Sequence, residues 1–258
     1  MKILITNDDG ISAPGILAVV EVLRDIAECL VVAPHKECSA AGHSITLHRT
    51  IGVETVDLGS GLEGFSIEGT PADCVKFAVA ELAKNKIDLI VSGINPGLNS
   101  GVSVYYSGTV SAAREGLING IPGMAVSQAR ELLHDFSYSK QLVQDLIKAH
   151  QTNLLPRDTF LNINIPPLPP SEIKGIRIVK QAHSRFVEWF ELTDPNHSNG
   201  KKTYSIRGDM EVINPDGESD EEVLKKGFVS VTPLQLDLTH YNHILTLRDW
   251  MEKGFLDK

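Results

Sequence analysis

Short apolar runs alternate with segments of helical period through the first 165 residues, and no other feature restricts the fold as strongly. Residues 3–5 read Ile-Leu-Ile, a β-branched run typical of a strand that is buried on both faces. Comparable strands are predicted at residues 30–33, 46–57, 65–68, 88–92, 124–127 and 160–165. Strands that alternate with helices at this spacing predict an α/β fold with a doubly wound, mostly parallel, Rossmann-like sheet.

Helix signals lie between these strands. Pro14 after Ser12 predicts a helix start, and apolar residues then repeat at helical spacing to Ala27. Residues 70–73 read Thr-Pro-Ala-Asp, the spacing of a capping box with proline at the first helical position, and predict a helix to about Lys84. Further helices are predicted from Thr109 and over residues 138–150.

The pattern changes after Gly175, where strand signals follow one another without long helices between them. Strands are predicted there at residues 176–181, 186–192, 203–207 and 228–238. The acidic, turn-rich segment 214–222 predicts an exposed loop, and the residues from Tyr241 predict a short terminal helix. We therefore predict an α/β core over residues 1–180 and an appended C-terminal β-hairpin element over residues 181–258.

Charge and cysteine content argue against several classes of protein. Lys and Arg total 24 against 33 Asp and Glu, so the net charge of -9 disfavours a nucleic-acid polymer as partner. Backbone N–H groups can still bind a small phosphate ester on an acidic protein. Three cysteines without a C-x-x-C pair predict reduced thiols. The first nine residues do not read as a signal peptide, and no apolar run is long enough for a membrane span, so we expect a cytoplasmic protein without a membrane partner.

Polar residues follow three separate predicted strands at the edge where such sheets bind ligands. Asp8 and Asp9 end the first strand, Ser39 lies after the second, and Asn95 follows the strand at 88–92. Two carboxylates with a hydroxyl and an amide form an oxygen-only set, which favours magnesium or manganese over zinc. The alternative is an Asx turn in which Asp8-Asp9-Gly10 only connects a strand to a helix.

A second candidate feature is the Gly/Ser/Asn-rich stretch from Ser92 to Gly101 and the Ser107-Gly108-Thr109 sequence beyond it. Its glycines allow close backbone approach, and its hydroxyls lie at a predicted helix N-terminus, so the combination suits a phosphate. It matches neither the dinucleotide fingerprint nor a P-loop. The alternative is a loop without a ligand.

Read together, these residues resemble the SurE survival-protein family of divalent-metal-dependent 5′/3′-nucleotidases. The resemblance spans nearly the whole chain. The segments that carry it are residues 5–10 (ITNDDG), 32–34 (VAP) with Ser39, 44–46 (SIT), 69–75 (GTPADCV), 91–95 (VSGIN), 106–110 (YSGTV), 113–116 (AREG) and 230–234 (SVTPL).

The resemblance implies hydrolysis of nucleoside 5′- and 3′-monophosphates, and of short polyphosphate. It implies that Asp8 and Asp9 are catalytic and bind one divalent metal ion per subunit, magnesium or manganese, together with Ser39 and Asn95. Ser107, Gly108 and Thr109 would line the phosphate site. It also implies a homodimer or homotetramer built partly by exchange of the C-terminal β element.

Several alternatives stay open at this point. An Asp that binds no metal could instead form a covalent aspartyl-phosphate. The same pocket would suit a nucleotide-binding regulator without turnover or, less well, a metal-dependent glycosyltransferase.

Four side-chain assignments also stay open. His43 fits an acid or base and a structural hydrogen bond about equally. Cys38 has no histidine partner that would make it a nucleophile, and Asp73 is expected to cap a helix. The aromatic residues Phe186, Trp189 and Phe190 are expected to pack an interface more often than to stack on a base.

Overall fold

The computed structural model describes residues 1–59, 61–84, 86–132, 135–153, 155–194 and 202–254. The strands are β1 (Lys2–Thr6), β2 (Glu28–Pro34), β3 (Val53–Asp57), β4 (Glu63–Ile67), β5 (Leu89–Pro96), β6 (Gly123–Gln128), β7 (Phe160–Ile165), β8 (Ile176–Ile178), β9 (Ser184–Asp194), β10 (Thr203–Val212) and β11 (Val229–Leu234). The α-helices are α1 (Pro14–Leu23), α2 (Pro71–Phe77), α3 (Gly108–Ile118), α4 (Ser137–Thr152), α5 (Asp220–Lys225) and α6 (Tyr241–Glu252).

Within the described residues, nine strands form one sheet in the order β3-β4-β2-β1-β5-β6-β7-β11-β8. The six strands from β4 to β7 in that order run parallel, whereas β3 and β11 run antiparallel to their neighbours β4 and β7. The predicted doubly wound, mostly parallel α/β fold is therefore confirmed. β1 is paired with β2 on one side and β5 on the other, so the strand order reverses there, and ligands bind such sheets at this point.

The two faces of the sheet carry separate cores. Ile3 and Ile5 of β1 pack in one cluster with apolar residues of α1 and α4, and Leu4 packs in another with apolar residues of α2. All three side chains are fully buried, which explains why the strand reads as a continuous apolar run. Gly15 lets α1 approach β5 closely, since a Cβ there would lie 1.9 Å from the carbonyl oxygen of Ile94.

Two predicted elements in the first half have different bounds. The strand predicted over 46–57 is confined to β3, because Thr46 gives its N–H and hydroxyl to the Asp73 carboxylate rather than to a strand partner. α1 begins at Pro14 after Ala13, not after Ser12, and it ends at Leu23. The helix predicted to Lys84 continues past α2 as a π-helical turn, Ala78–Leu82.

The Gly/Ser/Asn-rich stretch from Ser92 to Gly101, for which a loop was one alternative, is partly regular. β5 extends to Pro96, and a 3₁₀ helix, Gly101–Tyr105, precedes α3. The strand predicted over 124–127, the helix over 138–150 and the strand over 160–165 correspond to β6, α4 and β7.

The C-terminal part departs from prediction at one segment. Residues 214–222 are not entirely an exposed loop: Ser219 forms a capping box with Glu222 at the start of α5, and Asp220 is fully buried. The strands predicted over 176–181 and 228–238 are shorter, as β8 and β11.

β9 and β10 form a separate antiparallel hairpin, whereas β11 returns to the central sheet between β7 and β8. The division of the chain at residue 180 stays a prediction. The terminal helix is present as α6, and its large apolar residues other than Ile244 are exposed. None of the described helices combines the length and apolar character that crossing a membrane requires.

Candidate active site

The carboxyl end of β1 places two acidic side chains at the sheet's switch point. Asn7, not Asp8 or Asp9, closes the turn that follows: its amide donates to the carbonyl oxygen of Gly10 at 2.9 Å and accepts from the Gly10 N–H at 3.2 Å. The Asx turn that competed with a metal site in the sequence is therefore made by the preceding residue. Neither acidic side chain is needed for it.

Asp8 is buried and held by the start of α3. Its Oδ1 accepts a hydrogen bond from the Thr109 hydroxyl at 2.5 Å. Burial raises the pKa of Asp8, while the Thr109 hydroxyl and the backbone N–H groups of Gly108 and Thr109 act in the opposite direction. The helix N-terminus thus orients this carboxylate but does not remove the cost of burying it.

Asp9 is less well compensated. Its Oδ2 is buried and has no hydrogen-bond partner among the described residues. Burial, the Asp8 carboxylate and the Glu37 carboxylate raise the pKa of Asp9 to about 7, although the positive charge of Arg130 lowers it. A buried, unpartnered carboxylate oxygen next to a second carboxylate is the arrangement that a bound cation would satisfy.

Ser39 reaches the same edge on the loop after β2. The N–H of Cys38 donates to the carbonyl oxygen of Asp8 at 2.7 Å, which ties this loop to the end of β1. The Ser39 hydroxyl donates to the Glu37 carboxylate. Its oxygen lone pairs therefore remain for another ligand.

Asn95 lies near the carboxyl end of β5, the neighbour of β1. Its Nδ2 donates to the carbonyl oxygen of Gly97 at 2.6 Å. This bond fixes the orientation of the amide and leaves Oδ1 as the atom that can accept or coordinate.

Ser107 is the N-cap of α3, and its hydroxyl accepts from the N–H of Val110 at 3.1 Å. The hydroxyl hydrogen is not used in this bond and can be donated elsewhere. The next residue, Gly108, has no room for a side chain, because a Cβ there would lie 2.6 Å from the Cβ of Asp8. The N-terminus of α3 therefore abuts the Asp8 side chain directly.

A single cavity of about 730 Å³ joins most of the predicted site residues: Asp8, Asp9, Ser39, Asn95 and Ser107 all line it. Gly108 and Thr109 do not line it, and the Thr109 hydroxyl is directed to Asp8 instead. The assignment of metal and phosphate roles to these residues stays a prediction.

The donors in the cavity fit a hard divalent cation. Two carboxylates, one hydroxyl and one amide oxygen line one cavity, and one carboxylate oxygen is buried without a partner. No group of three or more His, Cys, Asp or Glu side chains suited to a metal occurs in the described ranges, so a site here depends on the neutral oxygen donors as well.

The cavity also contains residues that sequence reasoning missed. Arg130 follows β6 and brings a positive charge, and Glu37 brings a further carboxylate. Glu188 of β9 and Ile206 of β10 also line it. Phe186, for which the sequence favoured an interface over a base, lines it as well. The strand pattern of the hairpin was visible in the sequence, but its packing over the cavity depends on contacts distant along the chain.

A buried amide network positions the loop between β5 and the 3₁₀ helix, and it too was missed. Asn99 donates from its N–H to the Asn164 amide oxygen at 2.7 Å and from its side chain to the Ser127 hydroxyl at 2.9 Å. The Asn162 amide donates to the Asn99 carbonyl oxygen at 2.7 Å. Asn residues at alternate positions of an apolar strand such as β7 are the signal that could have indicated it.

The contacts of the remaining candidate residues fit structural rather than catalytic roles. Nε2 of His43 lies 2.8 Å from Oε2 of buried Glu115, and neither residue lines the cavity. Asp73 forms the predicted capping box with Thr70. Cys38 is a free thiol whose pKa is raised by burial and by neighbouring carboxylates, which does not favour a nucleophile. Trp189 is half exposed.

Comparison with known proteins agrees with this architecture. The model of the family described as Survival protein SurE matches residues 3–188. A 5′-nucleotidase SurE from Heliobacterium modesticaldum is 41% identical over 256 residues, covering 98% of this chain and 93% of that protein. One from Pelotomaculum thermopropionicum is 44% identical over 244 residues, covering 93% and 92%. The crystal structure of the SurE protein from Aquifex aeolicus matches with a TM-score of 0.81 at 35% identity, covering 97% of this chain and all of that one. This chain therefore belongs to the SurE family.

Proposed function

We propose that this chain is a divalent-metal-dependent nucleotidase that hydrolyses nucleoside 5′- and 3′-monophosphates to nucleoside and phosphate, and also cleaves short polyphosphate. The observation that carries the proposal is the pair of buried Asp8 and half-buried Asp9 in a cavity that also holds a helix N-cap hydroxyl. One buried oxygen of Asp9 has no partner among the described residues. The relatives named 5′-nucleotidase SurE support the substrate class.

Asp8, Asp9, Ser39 and Asn95 would hold one magnesium or manganese ion. When bound, such an ion supplies charge neutralisation at the phosphoryl oxygens and lowers the pKa of water at the site. Asp8 and Asp9 contribute negative charge that is already desolvated, and the Thr109 hydroxyl keeps Asp8 in place. This fixed geometry matters because the protein contributes little covalent chemistry to phosphoryl transfer. Catalysis therefore depends on positioning and on electrostatic stabilisation.

The phosphate would lie beside Ser107, whose unused hydroxyl hydrogen can be donated to a phosphoryl oxygen. The positive charge of Arg130 lies in the same cavity and can offset charge on the other oxygens. Hydrogen-bond donors fixed in this way favour the transition state, where charge spreads over the equatorial oxygens.

Metal dependence is the first test. Phosphate release from adenosine 5′-monophosphate should be lost after exhaustive chelation and return with manganese or magnesium, because the proposed ligands are all oxygen donors. Colorimetric phosphate release measures both. Full activity in the metal-free protein would contradict the metal mechanism, and tight nucleotide binding without release would indicate a regulator instead.

The role of Ser107 is tested by Ser107→Ala, which should lower kcat by roughly 10² to 10³ if the hydroxyl serves the transition state. Because this substitution also removes a helix cap, it should cost about 1 kcal/mol of stability as well. Thr70→Ala is the matched control, since Thr70 caps α2 and does not line the cavity. Equal losses of activity in the two variants would remove Ser107 from the phosphate site.

The proposal includes a homodimer or homotetramer. Large apolar side chains are exposed on α6 and on the hairpin, namely Val187, Trp189, Leu245, Leu247, Trp250 and Met251. Exposed apolar surface of this kind supports burial against a second copy. A monomer in light scattering at micromolar concentration would contradict the oligomer.

The proposal also includes the cytoplasmic location predicted from the sequence, which the free thiols of Cys29, Cys38 and Cys74 support.

A further inference from the structure

The active-site cavity has two unlike sides. The central sheet and its loops supply the carboxylates, Asn95 and Ser107. The hairpin supplies Phe186, Glu188, Ile206, Arg207 and Gly208, which we call the hairpin wall. A volume of about 730 Å³ is within the range of small-molecule sites and far exceeds the space that one phosphate needs. The hairpin wall is therefore placed to meet the organic part of a phosphate ester.

The strand register shows that Glu188 differs from the other charged residues of the hairpin. Arg185 pairs with Glu211 at 2.8 Å, and Arg207 pairs with Glu191 at 3.0 Å. Because side chains alternate along a strand, these four side chains lie on the opposite face from Glu188. Arg207 borders the cavity as well, but its guanidinium is paired with Glu191.

Directly across from Glu188 is Gly208, which has no side chain. In the part of the chain that the structure describes, no cation lies within ion-pair distance of Glu188. Its carboxylate is thus available to accept hydrogen bonds on the cavity side.

The position of the hairpin wall is fixed by contacts at its base. The Ser184 hydroxyl accepts from the N–H of Val102 at 2.8 Å. The buried Asp220 carboxylate accepts from the N–H groups of Gly101 at 3.0 Å and Ala182 at 2.8 Å, which joins the 3₁₀ helix to the chain that enters β9. Because that 3₁₀ helix leads into Ser107, the hairpin wall and the N-terminus of α3 are held at a set separation.

An aromatic pair completes this side of the cavity. The rings of Tyr106 and Phe186 lie with centroids 6.2 Å apart and are tilted by 46°. Both residues line the cavity, and Ile206 adds apolar surface. Aromatic and aliphatic surface of this kind suits the face of a nucleobase, and a carboxylate that accepts two hydrogen bonds suits a ribose diol.

We propose that the hairpin wall is a ribonucleoside subsite, in which Phe186 and Tyr106 pack against the base and Glu188 accepts hydrogen bonds from the 2′- and 3′-hydroxyls. This inference rests on the proposed function and adds to it the part of the substrate that is recognised. It predicts that 5′-ribonucleotides are preferred over sugars without these hydroxyls.

The test compares three phosphate esters: adenosine 5′-monophosphate, its 2′,3′-dideoxy analogue and 4-nitrophenyl phosphate. Glu188→Gln should lower kcat/KM for the ribonucleotide by roughly 10-fold to 100-fold, because a hydrogen bond to a charged acceptor is weakened. The loss should appear mainly in KM. Turnover of the dideoxy analogue and of 4-nitrophenyl phosphate should be unchanged, so the variant loses the preference for ribose.

Asp209→Asn is the matched control, since Asp209 is an exposed acid on the other face of β10. It should leave all three substrates unaffected. Phe186→Leu should raise KM for both nucleotides alike and leave 4-nitrophenyl phosphate unchanged. An equal effect of Glu188→Gln on all three substrates, or no effect on any, overturns the subsite.

Failure of the proposed function has a different signature, namely no phosphate release from any of the three esters. In that case calorimetry with manganese still tests the subsite. Binding of adenosine 5′-monophosphate should then be tighter than that of the dideoxy analogue in the wild type and equal in Glu188→Gln. Equal binding of both nucleotides by the wild type overturns the inference.

Discussion

Acidic side chains lie beside two different parts of α3, and they differ in whether a cation is paired with them. Glu115, on the helix itself, is 2% exposed and accepts from the Lys76 ammonium at 2.8 Å, with Nε2 of His43 also at 2.8 Å. Asp8, at the helix N-terminus, has hydroxyl and backbone donors, whereas the Oδ2 of Asp9 has none among the described residues. Neither carboxylate forms an ion pair in that part of the chain. The first cluster is complete without a ligand, and the second is not.

The pKa directions follow from this difference. Burial alone would raise the pKa of Glu115, but hydrogen bonds and charge from His43 and Lys76 outweigh it and hold the pKa below its ordinary value. For Asp9, burial and neighbouring carboxylates act together, and the pKa rises to about 7. A buried carboxylate that is paired with cationic side chains contributes to the stability of the fold. A carboxylate without such an ion pair is a candidate for a functional role.

Asp8→Asn should give the largest effect and separate activity from stability. It removes one charge from the proposed metal ligands and keeps an oxygen for the Thr109 hydroxyl. We expect phosphate release with manganese to fall by about 10³ or more, since a metal ligand and catalytic charge are lost together. The melting temperature in EDTA should hold or rise, because the repulsion between Asp8 and Asp9 is relieved.

The control for this substitution is Asp25→Asn, since Asp25 is an exposed acid that does not line the cavity, and it should change neither quantity. If Asp8→Asn bound manganese as tightly as the wild type in calorimetry and hydrolysed substrate at the same rate, Asp8 would be excluded from the site. Loss of activity that only accompanies unfolding would do the same.

Glu115→Gln should do the reverse, lowering stability and sparing chemistry. The substitution removes the negative charge shared by His43 and Lys76 and replaces one of their two acceptor oxygens with an NH2 group. It should cost about 1 to 3 kcal/mol, as expected when a buried charged hydrogen bond is broken. Urea unfolding measures the loss. Turnover of the folded protein should stay within a few-fold of the wild type.

Glu211→Gln provides the comparison at the surface, because Glu211 pairs with Arg185 in an exposed position and should contribute under ~1 kcal/mol. If Glu115→Gln abolished activity at unchanged stability, the distinction between the two clusters would be wrong, and Glu115 would belong to the site.

Sequence reasoning succeeded where a local pattern determines the structure. The Ile-Leu-Ile run of β1 is buried on both faces, the capping box at Thr70 forms as its spacing predicts, and β7 is found over its predicted residues. Asp8, Asp9, Ser39 and Asn95 meet in one cavity because parallel strands bring their carboxyl ends to one edge.

It failed where the structure depends on contacts between distant residues. The acidic stretch before α5 looked like an exposed loop, yet Asp220 is buried because it binds the N–H groups of Gly101 and Ala182. The hydrogen bond from the Thr109 hydroxyl to Asp8 joins residues 101 positions apart, so no local pattern indicates it. The pairing of His43 with Glu115 spans 72 residues and has no local signature.

The smallest expected effect concerns stability alone: in the metal-free protein, Asp9→Asn should change how stability depends on pH. Because the pKa of Asp9 rises from 3.8 to about 7 in the folded state, the folded protein holds a proton that the unfolded chain releases. The stability linked to this proton is fully present below about pH 4 and is lost as the pH rises through 7. Since Asp8 also has a raised pKa, the slope of stability against pH reflects the coupled titration of both carboxylates.

In EDTA, the melting temperature of the wild type should therefore fall more steeply between pH 5 and pH 8 than that of the variant, and the two curves should converge toward pH 4. Adding manganese should remove the difference in slope by binding the ionised pair of the wild type. Parallel curves in EDTA would show that the Asp9 charge is compensated in the fold, as that of Glu115 is.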